Sequence, residues 1–217
     1  MPTADARRGR PPRLTRKAIV DAAARLIRDH GVDAVTMRRV AAELDASPMA
    51  LYRHVENRDS LLVAVLSREV ESLVSPELPG EPAARVERIF VWLYDELDAR
   101  PWVVEVLSRG DLYAPSIRWA VEEILAGLIA LGLSPAAAVD GYLTVWRYLV
   151  GTLIIRHRTI AATSTLDREP VQTSSMRGAD AADFPLIAQT GTYWPRARAN
   201  FDFGNGVRAI VAGLTAV

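Results

Sequence analysis

The sequence predicts an all-α fold, and three observations carry that prediction. Apolar residues recur at intervals of three and four through most of the 217 residues, which is the spacing of one buried helix face. No segment alternates apolar and polar residues as a half-buried strand would. Residues that cap helices, such as Thr15, Thr36 and Asn57, stand directly before the apolar series.

The first helix is predicted between Thr15 and Gly31. Its apolar positions lie on one face, at Ile19, Ala22, Ala23, Leu26 and Ile27. A glycine directly after such a series favours a helix end, because glycine adopts left-handed backbone angles without strain. This segment is therefore expected to be one amphipathic helix.

Two short helices and a longer fourth helix follow. Thr36 caps the second helix, and Ser47 with Pro48 starts the third with a cap and a proline at the first helical position. The second helix ends only a few residues before this proline, and Asn57 caps the fourth helix. Two short helices across a tight turn, flanked by longer ones, predict a three-helix helix-turn-helix domain over residues 15–60.

The outward side of the third helix has the chemistry of a DNA-reading surface. A short helix can enter the major groove with its side chains facing base edges. Arg53 is the only long donor on this side and suits guanine O6 and N7 or phosphate, while Tyr52 and His54 offer donors for phosphate oxygens. The other outward positions of this helix are Pro48, Met49 and Ala50.

Two runs of sequence carry a family resemblance. Residues 35–44 read Val-Thr-Met-Arg-Arg-Val-Ala-Ala-Glu-Leu, and residues 51–62 read Leu-Tyr-Arg-His-Val-Glu-Asn-Arg-Asp-Ser-Leu-Leu. Over residues 15–66 the chain resembles the DNA-binding domain of the tetracycline-repressor (TetR) family. Members of that family usually have glycine where Asp45 stands. Because aspartate also tolerates left-handed backbone angles, we expect the turn to persist.

The resemblance implies which residues contact DNA. Tyr52, His54 and Arg58 would touch phosphate groups. Ala50 departs from the hydroxyl or glycine found there in many members, so the operator sequence does not carry over. The remaining implied contacts, to bases or backbone, are Thr36, Arg38, Ser47, Pro48, Met49 and Ala50.

Charge is unevenly distributed along a chain that is neutral overall. Residues 1–60 hold 12 basic and 8 acidic side chains, a net charge of +4, which residues 61–217 offset with 14 and 18. Residues 1–14 are predicted to be a disordered basic arm, in which Arg8-Gly-Arg-Pro-Pro-Arg13 resembles an AT-hook core. Its arginines, Arg8, Arg10 and Arg13, would enter an A·T minor groove. The alternative is a solvated tail without a specific contact.

Composition limits the function classes. The chain has no cysteine, which excludes a disulfide scaffold, thiolate metal sites and a thiol nucleophile. No run of about 18 apolar residues suits a membrane span, and charged residues interrupt any signal-peptide core. We therefore expect a cytoplasmic protein without membrane contact.

Residues 61–217 are predicted to be a second, helical domain for effector binding and dimerisation. After turn-forming residues 75–82, helices are expected around 86–97, 102–107, 116–131, 135–156 and 184–193, with a last helix from Phe201 to Leu214 after Asn200. Residues 158–183, rich in Thr and Ser with scattered Pro, Gly and Asp, are predicted to be a long mobile loop. A lid over a pocket and plain disorder both stay open for this segment.

Dimerisation has a physical motive, because one short recognition helix reads too few bases to find an operator in a genome. A symmetric dimer on a near-palindromic operator solves this. The resemblance implies that the last helix pairs with the helix near 136–156 across a twofold axis. The predicted interface residues are Trp146, Val150, Phe203, Val207, Ile210 and Leu214.

All five tryptophans lie beyond residue 90. Aromatic side chains between helices form either core or an apolar small-molecule site, and the sequence leaves both open. The resemblance implies an effector pocket near Trp92, Trp102, Val106, Trp119 and Tyr142.

Catalysis has little support. The three histidines show no metal-ligand spacing, and there is no phosphate-binding glycine loop or nucleophile elbow. The sequence thus predicts no enzyme, no cofactor and no metal, but a homodimeric repressor of double-stranded operator DNA that responds to a small apolar ligand through the fourth helix. Two alternatives remain: an effector-independent activator or architectural DNA-binding protein, and a helical enzyme or carrier.

Overall fold

The computed structural model of the chain describes residues 14–109, 112–166 and 170–216. These residues are helical, without a strand in any of the three ranges. They divide into two compact units. The first contains residues up to Leu73 together with 109–116, and the second contains 74–108 and the residues from Ile117 onward. No helix in the described ranges is long and apolar enough to cross a membrane.

Among its described residues the first unit contains four α-helices, all at the predicted places. They are α1 (Arg16–His30), α2 (Met37–Ala42), α3 (Pro48–Leu51) and α4 (Arg58–Glu71). Each predicted cap accepts a hydrogen bond from the backbone of the first turn. The distances are 3.1 Å for Thr15, 3.2 Å for Thr36, 3.3 Å for Ser47 and 2.8 Å for Asn57. These side chains satisfy amides that have no carbonyl partner within the helix.

The core of the first unit lies between α1 and its neighbours α2 and α4. Ile19 and Leu26 of α1 and Leu61 and Val65 of α4 are buried together with Val40 of α2. The boundary predicted at residue 60 is therefore wrong. α4 buries its apolar face in the first unit, so the first unit extends to Leu73.

The second unit contains eight helices among the described residues. They are α5 (Pro82–Asp98), α6 (Pro101–Ser108), α7 (Arg118–Ala130), α8 (Pro135–Leu166), α9 (Val171–Arg177), α10 (Pro185–Thr190), α11 (Trp194–Ala199) and α12 (Phe203–Thr215). The central helix is α5, which packs against α6, α7, α8 and α12. Gly127 allows α7 to approach α5 closely, because a Cβ atom there would lie 2.6 Å from Cγ2 of Val86.

The mobile loop predicted over residues 158–183 is wrong for most of that segment. Helix α8 continues to Leu166, and α9 occupies Val171–Arg177. Composition misled the prediction: threonine and serine lower helix propensity by less than about 0.7 kcal/mol each, which tertiary packing overrides. Thr173, only 2% exposed, anchors α9, which packs on α10 and α11. The last helix also begins later than expected, with Asp202 as its cap.

Candidate functional site

The turn between α2 and α3 has the tight geometry that the sequence predicted. Asp45 adopts a left-handed backbone with φ of 48°, which aspartate tolerates better than most residues. Ala46 N donates to the carbonyl oxygen of Ala41 at 3.0 Å and closes the end of α2. The helix-turn-helix is therefore formed with aspartate in place of glycine.

One side of α3 and of residues 52–55 directly after it is buried, and the other side faces outward. Leu51 and Val55 are buried, whereas Met49, Tyr52, Arg53 and His54 are exposed. Pro48 is also exposed and Ala50 is half-buried. The outward residues predicted from the sequence thus lie on one accessible surface.

Two of the residues predicted to contact DNA also cap helices. The side-chain oxygens of Thr36 and Ser47 accept the capping bonds of α2 and α3. Their hydroxyl protons stay available to a phosphate oxygen, since a hydroxyl both donates and accepts. Arg38 is exposed near the start of α2. Among the residues that the structure describes, Arg38 and Arg53 form no ion pair, so their charge is available to a polyanion.

Arg58, for which the resemblance implies a phosphate contact, also binds the backbone of its own unit. Its Nε donates to the carbonyl oxygen of Val35 at 2.7 Å, and its Nη2 donates to that of Val32 at 3.0 Å. The side chain is half-buried. Two of its donor groups therefore point into the protein and hold the connection between α1 and α2.

Arg8, Arg10 and Arg13 of the predicted basic arm lie outside the described residues. The minor-groove contact assigned to them stays a prediction.

Sequence reasoning missed a second arginine at the same connection. Arg109 donates from Nη1 to Oδ1 of Asp33 at 2.6 Å, and this hydrogen bond lowers the pKa of Asp33 below its ordinary value. Ser116 Oγ donates to the carbonyl oxygen of Ser67 at 3.3 Å. Residues 109–116, which stand between α6 and α7 in the sequence, thus belong to the first unit. No local pattern in the sequence announces a contact between residues this far apart.

The predicted effector residues form two aromatic contacts in the second unit. The rings of Trp92 and Trp119 pack at 5.4 Å with an interplanar angle of 50°, which joins α5 to α7. Trp92 is 6% exposed, and its buried Nε1 has no hydrogen-bond partner among the described residues. An indole N–H buried without a partner loses its hydration and gains nothing in return.

The second contact joins α5 to α8. Tyr142 lies 6.3 Å from Phe90 and stacks on Trp146 at 6.4 Å. Trp102 is half-buried on α6, Val106 is fully buried there, and neither takes part in these ring contacts. The predicted effector residues therefore divide into a Trp92–Trp119 pair, a Tyr142 cluster and the α6 side chains.

Two residues of the predicted dimer interface are already buried within their own chain. Phe203 is 4% exposed and lies between Tyr94 at 4.5 Å and Tyr148 at 5.1 Å in a parallel stack within its own chain. Val207 is fully buried. Both side chains are core, because α12 turns this face toward α5 and α8. Trp146, Val150, Ile210 and Leu214 are half-buried.

Burial in the aromatic stack also shifts the pKa of two tyrosine hydroxyl groups. Loss of hydration on burial raises the pKa of both Tyr94 and Tyr148 above the ordinary value. No local sequence pattern predicts this stack, because its three members come from α5, α8 and α12.

Comparisons with known proteins support the helix-turn-helix assigned to the first unit. The family model for bacterial regulatory proteins of the tetR family matches residues 19–65. The HTH-type transcriptional repressor DrrR1 of Streptomyces coeruleorubidus is 30% identical over 149 residues, which are 66% of this chain and 54% of DrrR1. The chain thus spans about half the length of that relative.

Two further comparisons cover nearly all of the chain. An HTH-type transcriptional regulator of Saccharopolyspora erythraea is 29% identical over 215 residues, covering 94% of this chain and 86% of the relative. ActR from Streptomyces coelicolor, solved in complex with (S)-DNPA, has the same fold, with a TM-score of 0.74 at 24% identity over 94% of this chain and 98% of ActR. These relatives are named as regulators, in agreement with the prediction that the chain is not an enzyme. The helix-turn-helix unit of the chain thus resembles the DNA-binding domain of the tetR family of bacterial regulatory proteins, whose model matches it over residues 19–65.

Proposed function

We propose that the protein is a dimeric transcriptional repressor that binds a near-palindromic operator through α3 and is released by a small apolar ligand. The observation that carries the DNA-binding part is the outward face of α3, where Arg53, Tyr52 and His54 are exposed beside a buried Leu51. A firmly capped helix with an exposed cationic face suits the major groove. DrrR1 is named a transcriptional repressor, which supports the proposal that this protein represses rather than activates transcription.

A dimer would hold two α3 helices about 34–36 Å apart, the spacing of successive major grooves on one side of DNA. The half-buried residues Trp146, Val150, Ile210 and Leu214 are the proposed interface. Their remaining apolar surface would be covered by the same surface of a second copy.

The ligand site is proposed at the Trp92–Trp119 pair. The unpartnered Nε1 of Trp92 supplies a donor in apolar surroundings, and one directed polar group in an apolar site is typical of small-molecule pockets. ActR, which shares the fold, has been solved with (S)-DNPA. A ligand can weaken operator binding only by as much as its affinity differs between the two states of the dimer.

The proposed route of regulation runs through the chain segment 109–116. This segment follows α6 directly, and it holds Asp33 through Arg109. A shift of α6 on ligand binding would displace the connection that precedes α2. The fourth helix, the lever proposed from the sequence, meets the same connection through Arg58.

The test uses fluorescence anisotropy with labelled DNA that flanks the protein's own gene. Tyr52→Ala and Arg53→Ala should each lower affinity at least tenfold with an unchanged circular dichroism spectrum. Arg196→Ala, which removes an exposed charge from α11 of the second unit, is the matched control and should have no effect. Equal affinity of all variants would contradict the DNA-binding proposal.

The ligand proposal needs a separate titration. (S)-DNPA serves as the first probe, followed by other aromatic ketones and acids, added to the complex of protein and operator. Release that Trp92→Phe weakens, with operator affinity unchanged in the absence of probe, supports the site. An operator complex that no apolar probe releases would favour an effector-independent regulator.

A further inference from the structure

Met49 of α3 and Arg53 of the turn that follows it are both exposed. They are four residues apart, the spacing at which side chains share one face where the chain keeps a helical course. The helical course continues past Leu51, because Tyr52 N donates to the carbonyl oxygen of Pro48 at 3.3 Å and Val55 N donates to that of Leu51 at 3.0 Å. The buried residues Leu51 and Val55 mark the opposite face.

Met49 is 74% exposed, in contrast to the buried Met37 of the same unit. A single exposed apolar side chain needs no explanation by itself, so the argument depends on its neighbours. Arg53 shares its face and forms no ion pair in the ranges that the structure describes. The apolar side chain of Met49 beside the charge of Arg53 therefore suits a polyanion that also exposes an apolar group.

The first turn of α3 offers no side-chain hydrogen bond to a base edge. Pro48, Met49 and Ala50 have neither the fork of arginine nor the amide of asparagine. The Ser47 oxygen accepts the amide of Ala50 at 3.3 Å, and its hydroxyl proton is left for a phosphate oxygen. In the major groove the apolar group available for contact is the 5-methyl group of thymine.

We infer that Met49 packs against a thymine 5-methyl group in each operator half-site and thereby determines specificity at that base pair. The inference rests on the proposed DNA-binding function and names the base class that the site selects. Arg53 beside it holds the adjacent guanine or phosphate and keeps Met49 in place.

The experiment changes the DNA rather than the protein. Duplexes that bind the full-length protein are first selected from a random-sequence pool, and the recovered site is footprinted. Each thymine of one half-site, with its symmetry mate, is then replaced by deoxyuridine, which removes only the methyl group. Affinity is measured for the wild-type protein, Met49→Leu and Met49→Ala.

The expected result is one thymine whose replacement weakens wild-type binding about fourfold per half-site, the ratio that burial of one methyl group gives. Met49→Leu should keep this discrimination, and Met49→Ala should lose it. A half-site without thymine, no thymine sensitive to replacement, or discrimination that persists in Met49→Ala would each overturn the inference. Failure to select any duplex would instead overturn the proposed function, so the two failures are distinguishable.

Discussion

Arg58 donates from Nε to the carbonyl oxygen of Val35 at 2.7 Å, so the first residue of α4 is tied to the residue that precedes the cap of α2. With the second bond, to Val32, this side chain fixes the connection on which the position of the helix-turn-helix depends. A hydrogen bond from a charged group contributes about 1.5–3 kcal/mol when both partners are shielded from water.

Arg58→Ala should therefore lower the free energy of unfolding by about 2 kcal/mol, measured by urea denaturation. Arg58→Lys should restore little of it, because an ammonium group lacks the fork that reaches two carbonyls. Arg53→Ala, at an exposed arginine, is the control and should leave stability unchanged. If Arg58 served only DNA phosphate, its removal would lower DNA affinity without changing the unfolding midpoint.

Deletion of residues 1–12 should weaken operator binding and reduce its dependence on salt. Each phosphate contact that the arm makes contributes about 0.9 to the slope of log K against log salt. Affinity measured at several salt concentrations gives this slope for the full-length and shortened proteins. A slope that stays the same would show that the arginines of this arm do not contact phosphate.

Glu81 is expected to make the stability of the second unit dependent on pH. Its carboxylate accepts hydrogen bonds from the backbone amides of Ala83 at 3.0 Å and Ala84 at 2.6 Å, and these bonds lower its pKa below the ordinary value. A depressed pKa in the folded state contributes stability above the unfolded pKa, and that contribution is lost as pH falls through the folded pKa.

Glu81→Gln should therefore melt at a lower temperature than the wild type at pH 7, and the difference should shrink as pH falls below the ordinary pKa of glutamate. Thermal melts from pH 7 down to acid pH give the comparison. Glu122→Gln, which changes an exposed glutamate of α7 in the same unit, is the control. A difference in melting temperature that is constant with pH would refute this role of Glu81.

Phe203→Ala should lower the free energy of unfolding by about 3–5 kcal/mol, since it leaves a cavity between Tyr94 and Tyr148. Denaturation at several protein concentrations separates this effect from a loss of dimer contacts. A core residue lowers stability at every concentration. If the substitution changed only dimer dissociation and left the stability of the isolated subunit unchanged, Phe203 would be an interface residue instead.

Local patterns were sufficient for the helix caps and the tight turn of the first unit. Thr15, Thr36, Ser47 and Asn57 cap the helices that the sequence predicted, because a capping side chain and its amide partner lie within three residues of each other. Asp45 adopts the left-handed turn expected of it for an equally local reason. The exposed face of α3 followed from the helical period alone.

Prediction failed where the decisive contact joins distant residues. The hydrogen bonds of Arg58 to the carbonyls of Val32 and Val35 were not predicted, because only the fold brings these residues together. Its phosphate contact stays a prediction. Residues 158–183 were misjudged because composition cannot show that α9 will pack on α10 and α11. Phe203 was placed at an interface because a helical period defines a buried face but not which surface buries it.

The sequence by itself thus determined the helical class, the helix-turn-helix and its outward residues, since all of these depend on spacing within a few turns of helix. Only the tertiary structure decided the rest: that α4 and residues 109–116 complete the first unit, that Asp33 is held by Arg109, and that Trp92 is buried with an unpartnered N–H. Each of these depends on which apolar faces meet, and that choice is made by the packing of the whole chain rather than by any one segment.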